Sequence, residues 1–282
     1  MEICRTIIEV RNILQKTREA KKSIGLVPTM GALHQGHLKL IEASKKKCDF
    51  TVASIFVNPT QFNNPEDLTK YPKTIDEDII KLTDTGCDAL FLPSDEEIYP
   101  SPPSLKIKLD NIGEQLEGKF RTGHFDGVGL VVSKLFNIIQ PDQAFFGQKD
   151  IQQFYIIKAL VDQLNFPIQM NMVPTMREPN GLAMSSRNMR LSTEELLEAT
   201  LIIKTLNKAQ ERLLSGIDTI TVRAEVQKLF SASDRLALEY FEIVNTDDFK
   251  PTQQLKDKEK IALCIAAEIG QVRLIDNLML IS

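Results

Sequence analysis

Residues 24–47 read "IGLVPTMGALHQGHLKLIEASKKK", and this stretch decides the fold class. Its first six residues form a short apolar run, typical of a strand that is buried on both faces of a parallel sheet. From about residue 37 the apolar positions recur at helical spacing. Between the two patterns, Gly31 lets the chain turn and Gly36 keeps side-chain bulk away from the helix start. The stretch therefore predicts a strand, a tight loop and a helix in direct succession.

The same alternation continues through the first 175 residues. Strands are predicted at 24–29, 50–57, 88–93, 143–147 and 167–173, and helices near 37–47, 74–85, 127–139 and 150–164. This alternation of strands and helices predicts an α/β fold with a doubly wound parallel sheet. In such sheets the ligand site lies beyond the carboxyl ends of the strands.

The pattern changes after Pro174. A capping box from Ser192 to Glu195 predicts a long helix that ends at Gly216, and a second helix is predicted near 219–232. Three strands follow, in "LEYFEIV", "KIALCIAAEI" and "VRLIDNLML", with a turn at Gly270 between the last two. We therefore expect a first domain at 1–175 and a smaller α+β domain at 176–282.

Composition excludes several classes of protein. The 34 Lys and Arg nearly balance 38 Asp and Glu, so the basic footprint of a nucleic-acid-binding protein is missing. The four cysteines stand singly, which is typical of neither a disulfide framework nor a zinc cage. The N-terminal segment has apolar positions at helical spacing rather than a signal peptide, and no apolar stretch is long enough to span a membrane. We expect a cytoplasmic protein without a membrane partner.

His34 and His37 allow three interpretations. A metal site needs a third ligand, and His124 is the only other histidine. Both could be ordinary structural residues. Alternatively, they could donate hydrogen bonds to a phosphate, because a helix N-terminus attracts anions. The phosphate interpretation is favoured.

Two further loops carry groups suited to a nucleotide. In "FFGQKD" (145–150), Lys149 would place a cation near the strand ends, while Asp150 could contact a ribose or simply cap the next helix. Gln153, one turn into that helix, could face a ligand or solvent. In "GLAMSSRN" (181–188), hydroxyl groups and Arg187 could bind phosphate oxygens, or the segment could be a serine-rich surface turn.

Two more loops carry candidate functional residues. In "FVNPTQF" (56–62), the amide of Gln61 both donates and accepts hydrogen bonds, which suits a hydroxy acid. The stretch "KFRTGHFDGV" (119–128) carries Arg121 and His124, and it could equally be a glycine loop with a half-buried histidine.

Together these motifs resemble the pantoate–β-alanine ligase family, also called pantothenate synthetases. The resemblance rests, in chain order, on "PTMGALHQGH", "SIFVNPTQF", "YPKT", "GHFDGV", "VSKLFNIIQPD", "FGQKDIQQ", "VPTMREPNGLAMSSRN" and "RLIDN". H-x-G-H alone marks a broad superfamily of nucleotidyl transferases. The combined set covers nearly the whole chain and is highly specific.

The resemblance implies a Rossmann-like ATP domain, a C-terminal lid and a homodimer. It implies that ATP and Mg²⁺ drive the joining of (R)-pantoate to β-alanine through a pantoyl-adenylate, releasing AMP and pyrophosphate. The implied catalytic residues are His37, His34, Lys149, Ser185, Ser186 and Arg187. The implied ATP-binding residues are Met30, Gly31, Ala32, Leu33, His34, Gln35, Gly36, His37, Gly147, Gln148, Lys149, Asp150, Met176, Met184, Ser185, Ser186 and Arg187. The implied substrate-binding residues are Gln61, Gln153, Asn58, Tyr71 and Arg121, and Asp78 is a candidate magnesium ligand.

Two departures and two rival functions complete the set of expectations. Gln148 stands where many relatives have Glu, and Thr122 where they have Pro, but neither departure touches a residue assigned to the chemistry. One rival is a nucleotidyl transferase for a phosphorylated acceptor, although two glutamines at the acceptor site argue against it. The other is a catalytically silent ATP-sensing or RNA-binding module, which the acidic balance disfavours.

Overall fold

The computed structural model describes residues 1–63, 65–69, 71–109 and 111–281. The chain forms two compact units: Met1–Gly147 with Ile156–Pro174, and Gln148–Tyr155 with Thr175–Ser282. The first unit contains a six-stranded parallel sheet and the second an antiparallel three-stranded sheet, which confirms the predicted α/β class with a smaller α+β part. The domain division between residues 175 and 176 stays a prediction.

The six strands of the first unit all run parallel. They are β1 (Glu2–Cys4), β2 (Ile24–Thr29), β3 (Phe50–Ile55), β4 (Ala89–Phe91), β5 (Gln143–Gly147) and β6 (Gln169–Val173). Their order is β1-β4-β3-β2-β5-β6. After β2 the chain proceeds to one side of the sheet, and from β5 it proceeds to the other. The carboxyl ends of β2 and β5 therefore form the switch point at which such sheets bind ligands.

Eight α-helices occur in the described part of the chain before Pro174. They are α1 (Ile7–Glu19), α2 (Gln35–Lys47), α3 (Pro65–Thr69), α4 (Ile75–Asp84), α5 (Asp95–Ile98), α6 (Glu117–Phe120), α7 (His124–Ile139) and α8 (Ile151–Gln163). Residues of α8 through Tyr155 belong to the second unit. The four predicted helices are confirmed as α2, α4, α7 and α8. Among the described residues, no helix is long and apolar enough to cross a membrane.

The N-terminus differs from the expected helical pattern. Residues Glu2–Cys4 form an edge strand that pairs with β4, and α1 begins only at Ile7. Thr6 sets this start, because its hydroxyl accepts from the Glu9 N–H while the Glu9 carboxylate accepts from the Thr6 N–H. This reciprocal capping box ends the strand conformation and begins the helix.

The second unit follows the predicted order. Its further elements are α9 (Thr193–Leu214), α10 (Thr219–Ser231), β7 (Leu236–Asn245), β8 (Ile261–Ile269) and β9 (Val272–Met279). The strands lie in the order β7-β8-β9, and Gly270 makes the turn between β8 and β9 with φ of +57°. One apolar core joins α9, α10 and the sheet, with Leu206 and Ile243 completely buried in it.

All four cysteines are buried. Burial raises the pKa of the Cys4, Cys48 and Cys87 thiols to about 11. These side chains therefore act as small apolar groups in the core rather than as nucleophiles.

The capping box of α9 generates a stability prediction. The Ser192 hydroxyl accepts from the Glu195 N–H at 3.2 Å, and the Glu195 carboxylate accepts from the Ser192 N–H at 2.8 Å. Replacing Ser192 by Ala should lower the free energy of unfolding by about 1 kcal/mol, because one N–H group at the helix start loses its acceptor. Urea unfolding measures the change. Ser231→Ala is the control, since that hydroxyl only donates back to the Gln227 carbonyl of its own helix. Equal losses in both variants would contradict the role of the cap.

Candidate active site

The loop between β2 and α2 has an unusual backbone. Gly31 and Ala32 both lie in the left-handed region, with φ of +87° and +50°. For alanine this conformation costs roughly 1–2 kcal/mol, because Cβ crowds the next carbonyl oxygen. Ala32 and Leu33 are also buried, so their N–H groups need partners within the protein. The loop therefore persists only because the rest of the unit holds it.

Asp78, on α4, provides those partners. Its Oδ2 accepts from the Ala32 N–H at 2.9 Å, and its Oδ1 accepts from the Leu33 N–H at 2.8 Å. The Thr74 hydroxyl donates to Oδ2 at 3.2 Å, and Lys81 donates to the Leu33 carbonyl at 2.9 Å. Both carboxylate oxygens of Asp78 thus bind the loop, and the side chain is 1% exposed. These contacts support a structural role, while magnesium binding by Asp78 stays a prediction.

The two histidines form a capping box at the start of α2. His34 Nδ1 accepts from the Gly36 N–H at 3.1 Å, and His37 Nδ1 accepts from the His34 N–H at 3.3 Å. The ring centroids lie 4.1 Å apart. An accepting Nδ1 carries no proton, so in both neutral rings the proton is on Nε2. The imidazoles thus accept hydrogen bonds from two of the backbone N–H groups at this helix end.

Asn58 and Gln61 form one buried network after β3. Asn58 Nδ2 donates to Gln61 Oε1 at 3.2 Å and to the Gly127 carbonyl at 3.1 Å. Asn58 Oδ1 accepts from the Tyr99 hydroxyl at 2.9 Å. Burial raises the pKa of Tyr99, which keeps that hydroxyl protonated as a donor. Gln61 Nε2 then lies 2.9 Å from the sulfur of Met30. The network fixes the orientation of the Gln61 amide.

Helix α7 also contacts the turn that carries Gln61, Pro59–Gln61. His124 Nδ1 donates to the Gln61 carbonyl at 2.9 Å, because a carbonyl oxygen can only accept. Gly127 allows close approach: a Cβ there would lie 2.3 Å from the Thr60 oxygen and 2.7 Å from the Gln61 nitrogen. The motif "GHFDGV" is thus explained by packing against the turn Pro59–Gln61. His124 is 5% exposed, more deeply buried than the half-buried histidine that was one alternative.

Three other predicted residues, Tyr71, Arg121 and Gly147, also belong to the first unit. Tyr71 packs edge-on against Phe62, with ring centroids 6.1 Å apart. The Arg121 side chain is half-buried, and its carbonyl accepts from the His124 N–H at 3.0 Å. Gly147 ends β5, and a Cβ there would meet nothing within 4 Å. Met30, Asn58, Gln61 and Tyr71 are therefore brought to one region of this unit.

In the second unit, three of the predicted phosphate-binding residues line one small cavity. Lys149, Ser185 and Arg187 line it together with Asp276. Ser185 Oγ accepts from the Arg187 N–H at 3.2 Å and begins the short 3-10 turn Ser186–Arg190. The segment is thus a serine-capped turn with an exposed arginine, as one alternative expected. It nevertheless stands next to Lys149, so two separate stretches contribute to one cavity.

The remaining predicted residues of this unit differ in exposure. Asp150 is exposed, Gln153 is half-buried, and its neighbour Gln152 is buried. The carbonyl of Met176 accepts from the Met184 N–H at 2.9 Å, which joins these two predicted residues through their main chains.

Sequence reasoning missed several residues that hold the site. Tyr99 helps to orient the turn at Gln61 through Asn58, and no local pattern distinguishes it from an ordinary core residue. Asp276 and Asn277 were quoted within "RLIDN" without a role. Two adjacent polar residues inside a strand pattern were the available signal, because buried polar groups require specific partners.

Comparisons with known proteins agree with these motifs. The family model "Pantoate-beta-alanine ligase" matches residues 2–279. A pantothenate synthetase from Cytophaga hutchinsonii is 46% identical, covering 98% of each chain. The crystal structure of pantothenate synthetase from Thermus thermophilus has a TM-score of 0.93 at 35% identity and covers 99% of each chain.

A third comparison concerns a structure with ligands. Pantoate–β-alanine ligase from Francisella tularensis, complexed with "Beta-gamma ATP and Beta-alanine", has a TM-score of 0.80 at 35% identity, covering 100% of this chain and 98% of that one. With a family model that spans nearly all residues and relatives above 40% identity, the chain belongs to the pantoate–β-alanine ligase family.

Proposed function

We propose that this protein joins pantoate to β-alanine at the expense of ATP, forming pantothenate, AMP and pyrophosphate through a pantoyl-adenylate. Membership of the family supports the reaction. The observation that carries the proposal is the pair His34 and His37 at the start of α2, directly after the strand β2 at the switch point. A helix start with two Nε2 donors beside the strand ends suits a triphosphate.

The first step activates the acid. A pantoate carboxylate oxygen attacks the α-phosphorus of ATP, the bond from this phosphorus to the bridging oxygen breaks, and pyrophosphate leaves. In the first unit, we assign donation to phosphate oxygens to His34 and His37 through Nε2. In the second unit, Lys149, Ser185, Ser186 and Arg187 are assigned to the phosphates, since charge-assisted hydrogen bonds stabilise the developing charge. Correct alignment can supply about 7–11 kcal/mol of the barrier reduction.

Further nucleotide contacts are proposed from the resemblance. Residues 30–37, Gly147, Gln148, Asp150, the main chain of Met176, and Met184 are assigned to the rest of ATP. The open space beside Gly147 supports close approach of a ligand to the backbone there.

Magnesium is proposed as part of the substrate, bound to the phosphates of ATP. Among the described residues, no three His, Cys, Asp or Glu side chains converge into a cage for a metal ion. Asp78 already directs both carboxylate oxygens to loop N–H groups. Mg²⁺ commonly binds through substrate phosphates and water with few protein ligands. The chain's residues therefore fit a Mg·ATP substrate better than a protein-held ion.

Pantoate is assigned to Gln61, Gln153, Asn58, Tyr71 and Arg121. Asn58 is 1% exposed and its amide is used to orient Gln61, so we propose that it acts through Gln61. Gln61 can contact the hydroxyl or the carboxylate of pantoate. In the second step, the neutral amine of β-alanine attacks the adenylate carbonyl carbon, the bond from this carbon to the phosphate oxygen breaks, and AMP leaves. Water must be excluded, because the mixed anhydride hydrolyses.

We also propose a homodimer that acts in the cytoplasm, without a nucleic-acid or membrane partner. These properties follow from the resemblance and from the charge balance.

Pantoate-dependent exchange of labelled pyrophosphate into ATP tests the function. The proposal expects exchange with pantoate alone and pantothenate after β-alanine is added. A transferase for a phosphorylated acceptor would exchange only with that acceptor, and a silent nucleotide- or RNA-binding module would not exchange at all.

His37→Ala should lower the rate of adenylation by about 10²–10³-fold, because a donor to the transition-state charge is lost. Lys39→Ala, an exposed position on the same helix, is the control. The substitution also removes the acceptor of the His34 N–H, which could destabilise the start of α2. A melting curve detects any such loss of stability. Near-normal exchange by folded His37→Ala would remove His37 from the mechanism.

Gly127→Ala should raise the pantoate KM about tenfold or more, since the added Cβ would displace the turn that carries Gln61 and cost roughly 1–3 kcal/mol of substrate contacts. Gly129→Ala is a matched control on the same helix. Its Cβ would meet the Leu109 Cδ1 atom at 3.0 Å, and that flexible side chain can move aside. Steady-state kinetics with varied pantoate decide the outcome, and equal KM values in the two variants would count against this placement of Gln61.

Asp78→Asn should lower the rate of adenylation by up to about 10²-fold. The NH₂ group of the new side chain would face a loop N–H, and the loop would shift. If Asp78 only holds the loop, the Mg²⁺ concentration for half-maximal rate at fixed ATP should stay unchanged. If Asp78 binds the metal, that concentration should rise. Asp76→Asn, exposed on the same helix, is the control. An exchange rate of Asp78→Asn equal to that of the wild type would contradict the role of Asp78 in holding the loop.

A further inference from the structure

Two adjacent polar residues in β9, Asp276 and Asn277, are almost completely buried, at 3% and 2% exposure. Consecutive side chains of a strand point to opposite faces, so a strand on the surface of a core usually buries only one of two neighbours. Buried polar groups are destabilising unless they are hydrogen-bonded. The partners of these two residues therefore indicate why they are there.

Asn277 directs its whole amide to the segment that carries Lys149. Its Nδ2 donates to the Gln148 carbonyl and to the Lys149 carbonyl, both at 2.9 Å. Its Oδ1 accepts from Gln148 Nε2 at 3.4 Å. The two carbonyls settle the orientation of the amide, because an oxygen in that place would face two other oxygens. Both hydrogens of one amide group thus fix two successive peptide units.

Asp276 contacts the residues that lead into the second phosphate-binding segment, residues 181–187. It accepts from Arg177 Nη1 at 2.6 Å and from Arg177 Nη2 at 3.0 Å, a two-pronged ion pair. Arg177 Nη1 also donates to the Gly181 carbonyl at 3.1 Å, and Arg177 forms a β-bridge with Ala183. This turn leads directly into Ser185. Asp276 is thereby linked, through Arg177, to the start of the 181–187 segment.

The two sets of contacts converge on one cavity. Lys149, Ser185 and Arg187 line it, and Asp276 forms part of its wall. The charge of Lys149 also acts on Asp276: burial raises the pKa of the Asp276 carboxyl, while Arg177 and Lys149 oppose that rise. The strand lies in a three-stranded sheet over the core of this unit, so it is a rigid support.

We infer that Asp276 and Asn277 are positioning residues that set Lys149 and the 185–187 turn for the phosphate groups of ATP. The inference rests on the proposed function of these segments. Asn277 acts through the Gln148 and Lys149 carbonyls, and Asp276 acts through Arg177. A displacement of about 1 Å in a phosphate-binding group can lower a rate about 10²-fold, so the effect should be kinetic as well as structural.

Asn277→Asp tests the inference with almost no change in shape. A carboxylate cannot donate to either carbonyl, so the Gln148–Lys149 backbone should shift. At a temperature where the variant is fully folded, pantoate-dependent pyrophosphate exchange should fall about 10²-fold, and the KM for ATP should rise. Asn245→Asp is the matched control in the same unit, because Asn245 accepts, through Oδ1, from the Asp247 N–H, and a carboxylate can replace it. It should exchange like the wild type.

A second variant covers the case in which Asn277→Asp does not fold. Asn277→Ser retains one donor, and we expect an intermediate rate between those of the wild type and of Asn277→Asp. For the partner residue, Asp276→Asn should lower exchange, whereas Glu225→Gln should not. Glu225 forms a similar ion pair with Arg212 between α9 and α10, but contacts neither segment.

The outcomes separate the two levels of the proposal. If the wild type shows no pantoate-dependent exchange, the proposed function fails. If the wild type exchanges and folded Asn277→Asp or Asn277→Ser does so equally fast, the positioning role is overturned and the function stands. A lower melting temperature with an unchanged rate per folded molecule would likewise make the pair purely structural.

Discussion

The loop between β2 and α2 depends on its contacts with the carboxylate of Asp78. The two carboxylate oxygens satisfy two consecutive buried N–H groups in a loop that passes through the left-handed region at Ala32. Each buried N–H left without an acceptor would cost about 1–3 kcal/mol, comparable with the strain of the loop itself. A helix distant in sequence therefore holds the two residues that precede His34, the N-cap of α2.

In the second unit a buried side chain also holds a loop, but here the side chain donates the hydrogen bonds. There the buried group is an amide that donates to two carbonyls, rather than a carboxylate that accepts from two N–H groups. In both units, the residues proposed to act on ATP lie on short loops, and the groups that hold them lie on regular elements. Loops supply accessible backbone and side chains, while helices and strands supply fixed positions. Precision at the proposed site is thus a property of residues outside it.

Much of this architecture could be predicted from sequence, because apolar runs and caps are local signals. The strands at 24–29 and 143–147 match their predicted bounds, and so does the capping box at Ser192. The edge strand Glu2–Cys4 was missed, since three residues of pairing are too few to alter a helical pattern. Histidine is not among the preferred N-cap residues, so the cap formed by His34 and His37 had no sequence signal.

The supporting contacts of the site were harder to predict, because they join residues far apart in sequence. Asp78 lies more than forty positions from the loop it binds, and Asn277 more than a hundred from Lys149. The resemblance of the motifs identified the residues that are assigned to the chemistry. The residues that hold them in place are identified only by the fold. Those assignments remain proposals, whereas the supporting contacts are observed.

The buried cysteines make the protein convenient for spectroscopy. All four thiols are enclosed, and three have a pKa near 11, so very little thiolate is present at neutral pH. Maleimide dyes react with the thiolate form. A single cysteine introduced at an exposed position of either unit would therefore be labelled first, without removal of the native ones. The chain can thus carry a fluorescent reporter with its core left intact.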